Sequence, residues 1–281
     1  MVFAAVAPAE ARMHHPYRGH RIVPVATAPL DGFTTPSGAY SFRLLRQAYL
    51  GTGAAVRLRR ASDNAEADIG FDGSGNFDLA TATAHCAATT CFIRTWYDQS
   101  GLARHLVQTT TANQPQLVFA CNGDLPCLRT TVATQALATA ATYLPAAAVA
   151  SVSAVVNRRV STGGCQWIRN GSGSFSRLVA QAATANVAQL AGASGNIVAT
   201  VADAGWYAGA GVVAGAASSL NVNGVTTTGT VNGSTLAGNI GIAGGSGTTC
   251  DFGEGIYWDS YQLTPGESAA LIANQRSFWG F

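Results

Sequence analysis

The sequence contains no lysine. All sixteen basic residues are arginine, set against fourteen acidic ones, and charged residues make up only 11% of the 281 positions. A net charge of +2 is too small for the continuous basic footprint that phosphate-backbone binding needs, so nucleic acid is not an expected partner. The arginine-only usage accompanies many Ala and Gly residues and reads first as GC-rich coding, ahead of planar bidentate recognition. Long hydrophobic runs are missing too. Gly, Thr, Ser and Asn break every apolar stretch before it approaches the roughly 18 residues needed to cross a bilayer as a helix, so no membrane span is expected. None of the six cysteines stands in a C-x-x-C spacing and no phosphate-binding glycine loop is present. Neither a metal nor a cofactor is expected.

What is present points to a packed domain. Hydrophobic residues are 48% of the chain and glycine supplies 32 positions, a balance that excludes disorder by charge repulsion. The even cysteine count favours disulfides. A basic segment ahead of the N-terminal apolar residues is lacking and Pro8 interrupts them, so a signal peptide is not convincing. The two facts agree if the protein reaches an oxidising milieu on cell lysis, or if a signal has been removed.

Residues 1–37 carry Pro8, Pro16, Pro24, Pro29 and Pro36 with His14, His15 and His20 between them, a composition that favours extended backbone. We expect an extended N-terminal arm, either a docking segment or a flexible leader, followed by one domain over 38–281. The histidines have no metal-ligand spacing. Phe42, Leu45, Ala48 and Tyr49 predict a short amphipathic helix ending at Gly51, and Asp78 suits the N-cap of another. Strand patterns cover 56–60, 91–97, 151–157, 175–181, 187–191, 196–202, 206–213, 219–225, 239–243 and 252–263, with Asn-Gly turns at 170–171, 223–224 and 232–233. Thr264-Pro265-Gly266-Glu267 is a capping box with Pro at the first helical position, opening a helix through Gln275. The fold class is therefore all-β, an antiparallel β-sandwich of jelly-roll type with a few short helices.

Three ordered segments carry a resemblance: Arg59-Arg60-Ala61-Ser62-Asp63-Asn64-Ala65-Glu66-Ala67-Asp68-Ile69-Gly70, then His85-Cys86 to Cys91, then Trp96-Tyr97-Asp98-Gln99-Ser100-Gly101. Together they resemble the catalytic domain of the α-L-arabinofuranosidase B family, over residues 38–116 and again at 241–255. The resemblance implies a concanavalin-like β-sandwich. It also implies a Cys86–Cys91 disulfide, with Cys121–Cys127 and Cys165–Cys250 as the natural remaining pairings; the last four cysteines admit others. Leu220-Asn221-Val222-Asn223-Gly224-Val225 further resembles a laminin-G strand-turn element, and such modules bind glycans or proteins more often than they cleave them.

A retaining glycosidase needs two carboxylates about 5–5.5 Å apart. The family places its nucleophile, a Glu, on a middle strand, but this chain has no Asp or Glu between Asp124 and Asp203. Its acid, an Asp, follows a Gly-Ile-Gly-Gly element; here Gly245 and Ser246 stand there. Glu254 and Asp259 are the alternative catalytic candidates, yet five positions apart on one strand they point to opposite faces. Asp98 reads as a buried turn acid, and Asp203 as a lone acid near a strand end. The Asp72-x-Ser74-x-Asn76-x-Asp78 run reads as a polar turn, because Phe77 replaces the glycine a calcium loop requires. His85 and His105 lack an accompanying nucleophile.

Sugar rings stack on aromatic faces, which makes Trp167 and the Trp206-Tyr207 pair the glycan-binding candidates, against core packing as the plainer reading. Trp258 and Trp279 read as structural. The expectation is a non-catalytic glycan- or receptor-binding surface protein. The resemblance recurs among virion proteins, which implies a spike, fibre or tail component of an extracellular phage-like particle. Its expected partners are bacterial surface polysaccharide and other particle proteins through the arm, with a second copy of itself as an open option. The alternatives are an active arabinofuranosidase-type hydrolase and a purely structural assembly protein.

Overall fold

The computed structural model describes residues 28–143, 148–159, 165–167, 177–180, 187–201, 205–233, 238–243 and 249–281. In chain order the strands begin with β1 (Gly38–Ser41), β2 (Ala54–Arg60), β3 (Glu66–Gly70), β4 (Cys91–Trp96), β5 (Leu106–Val107) and β6 (Gln116–Asn122). They continue with β7 (Leu125–Thr130), β8 (Ala136–Thr139), β9 (Ala150–Arg158), β10 (Cys165–Trp167), β11 (Arg177–Ala180) and β12 (Val187–Ala191). The last are β13 (Asn196–Thr200), β14 (Trp206–Val213), β15 (Gly215–Val222), β16 (Val225–Val231), β17 (Gly241–Ala243) and β18 (Cys250–Asp259). Two α-helices are described, α1 (Leu79–His85) and α2 (Pro265–Trp279).

Strand pairing resolves these into two antiparallel layers. In the first, β18 pairs with β9, β9 with β14, β14 with β15 and β15 with β16, while β7 and β1 share the other side of β18 at opposite ends. The second runs β3-β2-β4-β5-β8-β17-β10-β11-β12-β13. Among the described residues a single pairing, Phe92 with Gln116, joins them through β4 and β6, the latter paired with β7.

The layers face each other closely because glycines of the first accept large side chains of the second. A Cβ built on Gly255 of β18 would lie 2.1 Å from the Trp167 ring, on Gly211 of β14 2.5 Å from Leu190, and on Gly229 of β16 3.0 Å from Ile197. Trp167 also packs edge-on against Tyr40 and Trp96, so these three rings fill the centre of the sandwich. The other face of the first sheet is covered by α2. Central strands β9 and β18 are consequently buried on both faces along almost their whole length, the pattern of a fully enclosed strand.

Helix α2 begins where the sequence predicts. The Thr264 hydroxyl accepts the Glu267 N–H, the Glu267 carboxylate accepts the Thr264 N–H, and Pro265 occupies the first turn. It continues past Gln275 to Trp279 and stops at Gly280, whose φ of 78° is left-handed. The expected helix over Phe42–Tyr49 is not formed; only a 3-10 turn over Gln47–Tyr49 appears. Its backbone donors are claimed from outside, Leu44 N–H by the Gly75 carbonyl and Leu45 N–H by Gln99 Oε1. Tertiary hydrogen bonds override the local period.

The three disulfides are Cys86–Cys91, Cys121–Cys127 and Cys165–Cys250, and no cysteine is free. The third ties β10 to β18 across the sandwich. All six cysteines in disulfides mark a protein of an oxidising, extracellular milieu. The Asn223-Gly224 pair makes the two-residue turn between β15 and β16, with φ of 51° and 96°. Asn232-Gly233 instead follows β16, where Asn232 bridges to Ser194, and Asn170-Gly171 lies outside the described residues.

Within the segment assigned to an arm, residues 28–37 lie against the first sheet. Leu30 is fully buried with Leu45, Trp258 and Leu263, and the Thr34 carbonyl accepts the Trp258 indole N–H. Residues 1–27, with all three arm histidines, are outside the described residues. Among the described residues no helix is long and apolar enough to cross a membrane.

Candidate functional site

The residues that carry the resemblance build scaffold. Asp98 is buried, and its carboxylate accepts the N–H groups of Ala39, Ser100 and Arg104 and the Ser100 hydroxyl. Gln99 donates to the Ser41 and Arg43 carbonyls while accepting from Leu45, which fastens the turn after β4 to the chain around β1. Arg59 reaches Gln114 and Asn64, and lies over the Phe92 ring. Each of these groups spends its hydrogen-bonding capacity on the protein itself. Asp72 behaves as the polar turn expected, accepting the N–H groups of Ser74 and Asn76.

The alternative catalytic pair is not assembled. Glu254 faces α2 and is fully buried: Arg43 donates to both its oxygens at 2.7 and 3.1 Å, and Ser41 and Gln275 donate at 3.0 Å. Asp259 lies on the opposite face, its backbone N–H bonded to Ser37 Oγ. Burial pushes its carboxyl above the ordinary carboxylate range, against opposing effects of Ser260 and Arg104. A raised native pKa favours the protonated form, so this group supports folding below its unfolded pKa and loses that contribution as pH rises through the native one. Asp259→Asn is therefore expected to leave the melting temperature unchanged or raised at neutral pH, with the difference vanishing in acid, read from melting curves across pH.

The histidines take structural places. His105 Nδ1 accepts the Asp98 N–H and its ring meets Tyr97 edge-on; burial holds its pKa down. His85 ends α1, where its carbonyl accepts from Arg60. Asp203 is outside the described residues.

Two of the three aromatic candidates are corrected. Trp167 is 1% exposed and Tyr207 2%, both inside the sandwich, so neither offers a ring face to a ligand. Composition alone leaves the direction of these side chains open, and β10 and β14 aim them at the facing layer. Trp206, one position earlier on β14, points the other way and is partly buried. Its ring stacks on that of Trp279 at 5.7 Å between centroids and 15° between planes.

Trp206 ends a row that crosses the first sheet. It pairs with Asn157 of β9, Asn157 with Asp251 of β18, and Asp251 with Arg129 of β7. Neighbours in register share a face, so the row joins an indole, an amide and an ion pair. Asp251 is fully buried and accepts Arg129 Nε and Nη2 at 2.6 and 2.9 Å and Arg159 Nη1 at 3.3 Å. The Asn157 Oδ1 is buried and has no hydrogen-bond partner. Asn157 is 6% and Asp251 0% exposed, so the members of this row within reach of a ligand are the partly buried Trp206 at one end and, at the other, Arg129 and Arg159, whose side chains are 20% and 45% exposed. An aromatic ring and charged donors are groups that a polyhydroxylated ligand can use.

Asn157, Asp251, Arg129 and Arg159 were not singled out from sequence. The signal available was their position, polar or charged residues at the ends of otherwise apolar strands. Asp251 also lies with the Cys121 and Cys127 sulfurs within 4.8 Å of one another, but those sulfurs form a disulfide and provide no thiolate ligands.

Residues 31–142 match the family described as Alpha-L-arabinofuranosidase B, catalytic. The α-L-arabinofuranosidase B of Aspergillus oryzae is 41% identical over 90 residues, which are 30% of this chain and 17% of that protein. The α-L-arabinofuranosidase of Hypocrea jecorina is 42% identical over 89 residues, again 30% and 17%. The matched segment thus spans under a fifth of either relative. Among solved structures, a GH54 α-L-arabinofuranosidase soaked with a cyclic sulfate inhibitor superposes with a TM-score of 0.67 at 17% identity, over 84% of this chain and 61% of the other. An arabinofuranosidase complexed with arabinofuranosyl-α-1,2-xylobiose gives 0.65, with the same identity and coverage. By sequence over residues 31–142 and by fold over most of its length, the chain resembles the catalytic domain of arabinofuranosidase B.

Proposed function

We propose that this domain binds a glycan without hydrolysing it, on an arabinofuranosidase-type scaffold whose catalytic carboxylates are missing. The observation that carries the binding half is the accessible part of this row, the partly buried Trp206 ring at one end and the Arg129 and Arg159 side chains at the other. Absence of Asp and Glu between 124 and 203, with Glu254 locked to Arg43, supports the non-catalytic half. Two arginines on Asp251 leave a positive surplus, so polysaccharides bearing carboxylate groups are the preferred test ligands. A place on a phage-like particle, with bacterial surface polysaccharide as ligand and attachment through the part of residues 1–37 that precedes the packed residues 28–37, rests on the resemblance and on the composition of that segment.

Trp206→Ala is expected to weaken polysaccharide binding by about tenfold or more, since an aromatic platform contributes on the order of 1–3 kcal/mol. The Trp206 variant should keep a cooperative melt, losing only the stability that its stack on Trp279 contributes. Affinity electrophoresis against acidic and neutral polysaccharides measures the effect, and unchanged affinity in the variant would remove this row as the site.

A further inference from the structure

Charge is distributed unevenly along the chain. Residues 178–250 contain one charged residue, Asp203, out of sixteen basic and fourteen acidic in the whole sequence. That stretch builds the end of the sandwich where both sheets stop. Among the described residues β16 pairs only with β15, and β13 only with β12.

Exposed sheet edges carry unpaired N–H and C=O groups, and natural proteins guard them with charges, prolines or bulges. The β3 edge at the other end is guarded: Asp68 pairs with Arg57 at 2.7 Å and Glu66 with Arg94 at 2.5 Å. The β16 edge reads Val225-Thr226-Thr227-Thr228-Gly229-Thr230-Val231, with neither charge nor proline, and its register with β15 is regular from Val225 to Gly229. The loop before β13 is bonded to Asn232, which closes only the far end of this edge. Val225 is 70% exposed and Val198 of neighbouring β13 is 49% exposed.

The Asn223-Gly224 turn decides which backbone groups are available. Val222 and Val225 flank a two-residue turn and form its hydrogen-bonded pair, so Val225 and Thr227 address β15 while Thr226 and Thr228 present their N–H and C=O outward. We propose that β16 pairs antiparallel with β16 of a second copy about a two-fold axis, extending the first sheet across both molecules. A second copy is the occupant the composition favours. An uncharged threonine strand opposes itself without like-charge repulsion, Thr–Thr pairs are favourable cross-strand neighbours, and a two-fold closes the edge of each copy with the other. This inference is independent of the glycan reading.

The test uses the full chain in sedimentation velocity and native mass spectrometry over a concentration series. The wild type is expected at twice the monomer mass. Thr226→Lys with Thr228→Lys places like charges across the two-fold and should raise the dissociation constant by at least about tenfold. Both side chains are exposed, so the monomer's melting temperature should not move. Thr228→Pro removes an outward donor and should also give monomer. A wild type that is monomeric at every soluble concentration, an assembly of more than two copies, or a dimer undiminished in both variants would overturn the proposal.

Discussion

Arg43→Met is expected to lower unfolding free energy by about 3–5 kcal/mol, the cost of leaving a buried carboxylate without its cation. Glu254 would retain only Ser41 and Gln275 as donors, in a place with no access to solvent. The companion variant Arg43→Met/Glu254→Met should recover most of the loss, because removing both charges also removes their desolvation cost. Urea melts of the two variants measure this. The outcome also bears on chemistry. A carboxylate whose role is to hold β18, the chain after β1 and α2 together shows its loss in stability, whereas a catalytic one would show it in turnover on a folded protein. Equal destabilisation in the single and double variants would mean that the pair does not anchor this interface.

The second large effect concerns the contact between the layers. Trp167→Ala should cost about 3–5 kcal/mol through lost burial and the cavity left behind. Gly255→Ala should cost about 1–3 kcal/mol or more, because the new methyl would overlap an indole ring that has no room to retreat. The pair is directly opposed, so the double variant should be more stable than the sum of the single effects predicts. Strict additivity in denaturant melts would show that the ring and the glycine are not packed as described.

Much of the scaffold was legible because it is written in local chemistry. The Thr264–Glu267 capping box, the Asn223-Gly224 turn and the Asp78 cap each specify a hydrogen bond within a few residues, and all three are made. The disulfides were reached through the resemblance. The Phe42–Tyr49 segment misled because its donors are taken by Gly75 and Gln99, partners far away in sequence. Trp167 and Trp206 show the limit for the site. Both are tryptophans at strand termini near glycines, and only the direction each strand imposes separates a core ring from one at the surface. The Asn157–Asp251–Arg129 row was invisible for a related reason. Its members come from three strands and meet only through register, which no window of sequence contains.

The resemblance itself has a physical reading. The segments that carry the resemblance, around Arg59, Cys86–Cys91 and Asp98, lie within the matched residues 31–142, and their polar groups are engaged in holding strands and turns together. A match of this kind carries the scaffold and assigns no catalytic role to these residues.

One measurement tests the central claim most directly. The purified chain is incubated with acidic bacterial surface polysaccharide and, in parallel, with an aryl α-L-arabinofuranoside, and binding and sugar release are followed in the same samples. The account predicts saturable binding that Trp206→Ala weakens, with no release above a protein-free control. Release of arabinose or of reducing ends, abolished by substitution of a carboxylate, would contradict it and establish a working catalytic pair.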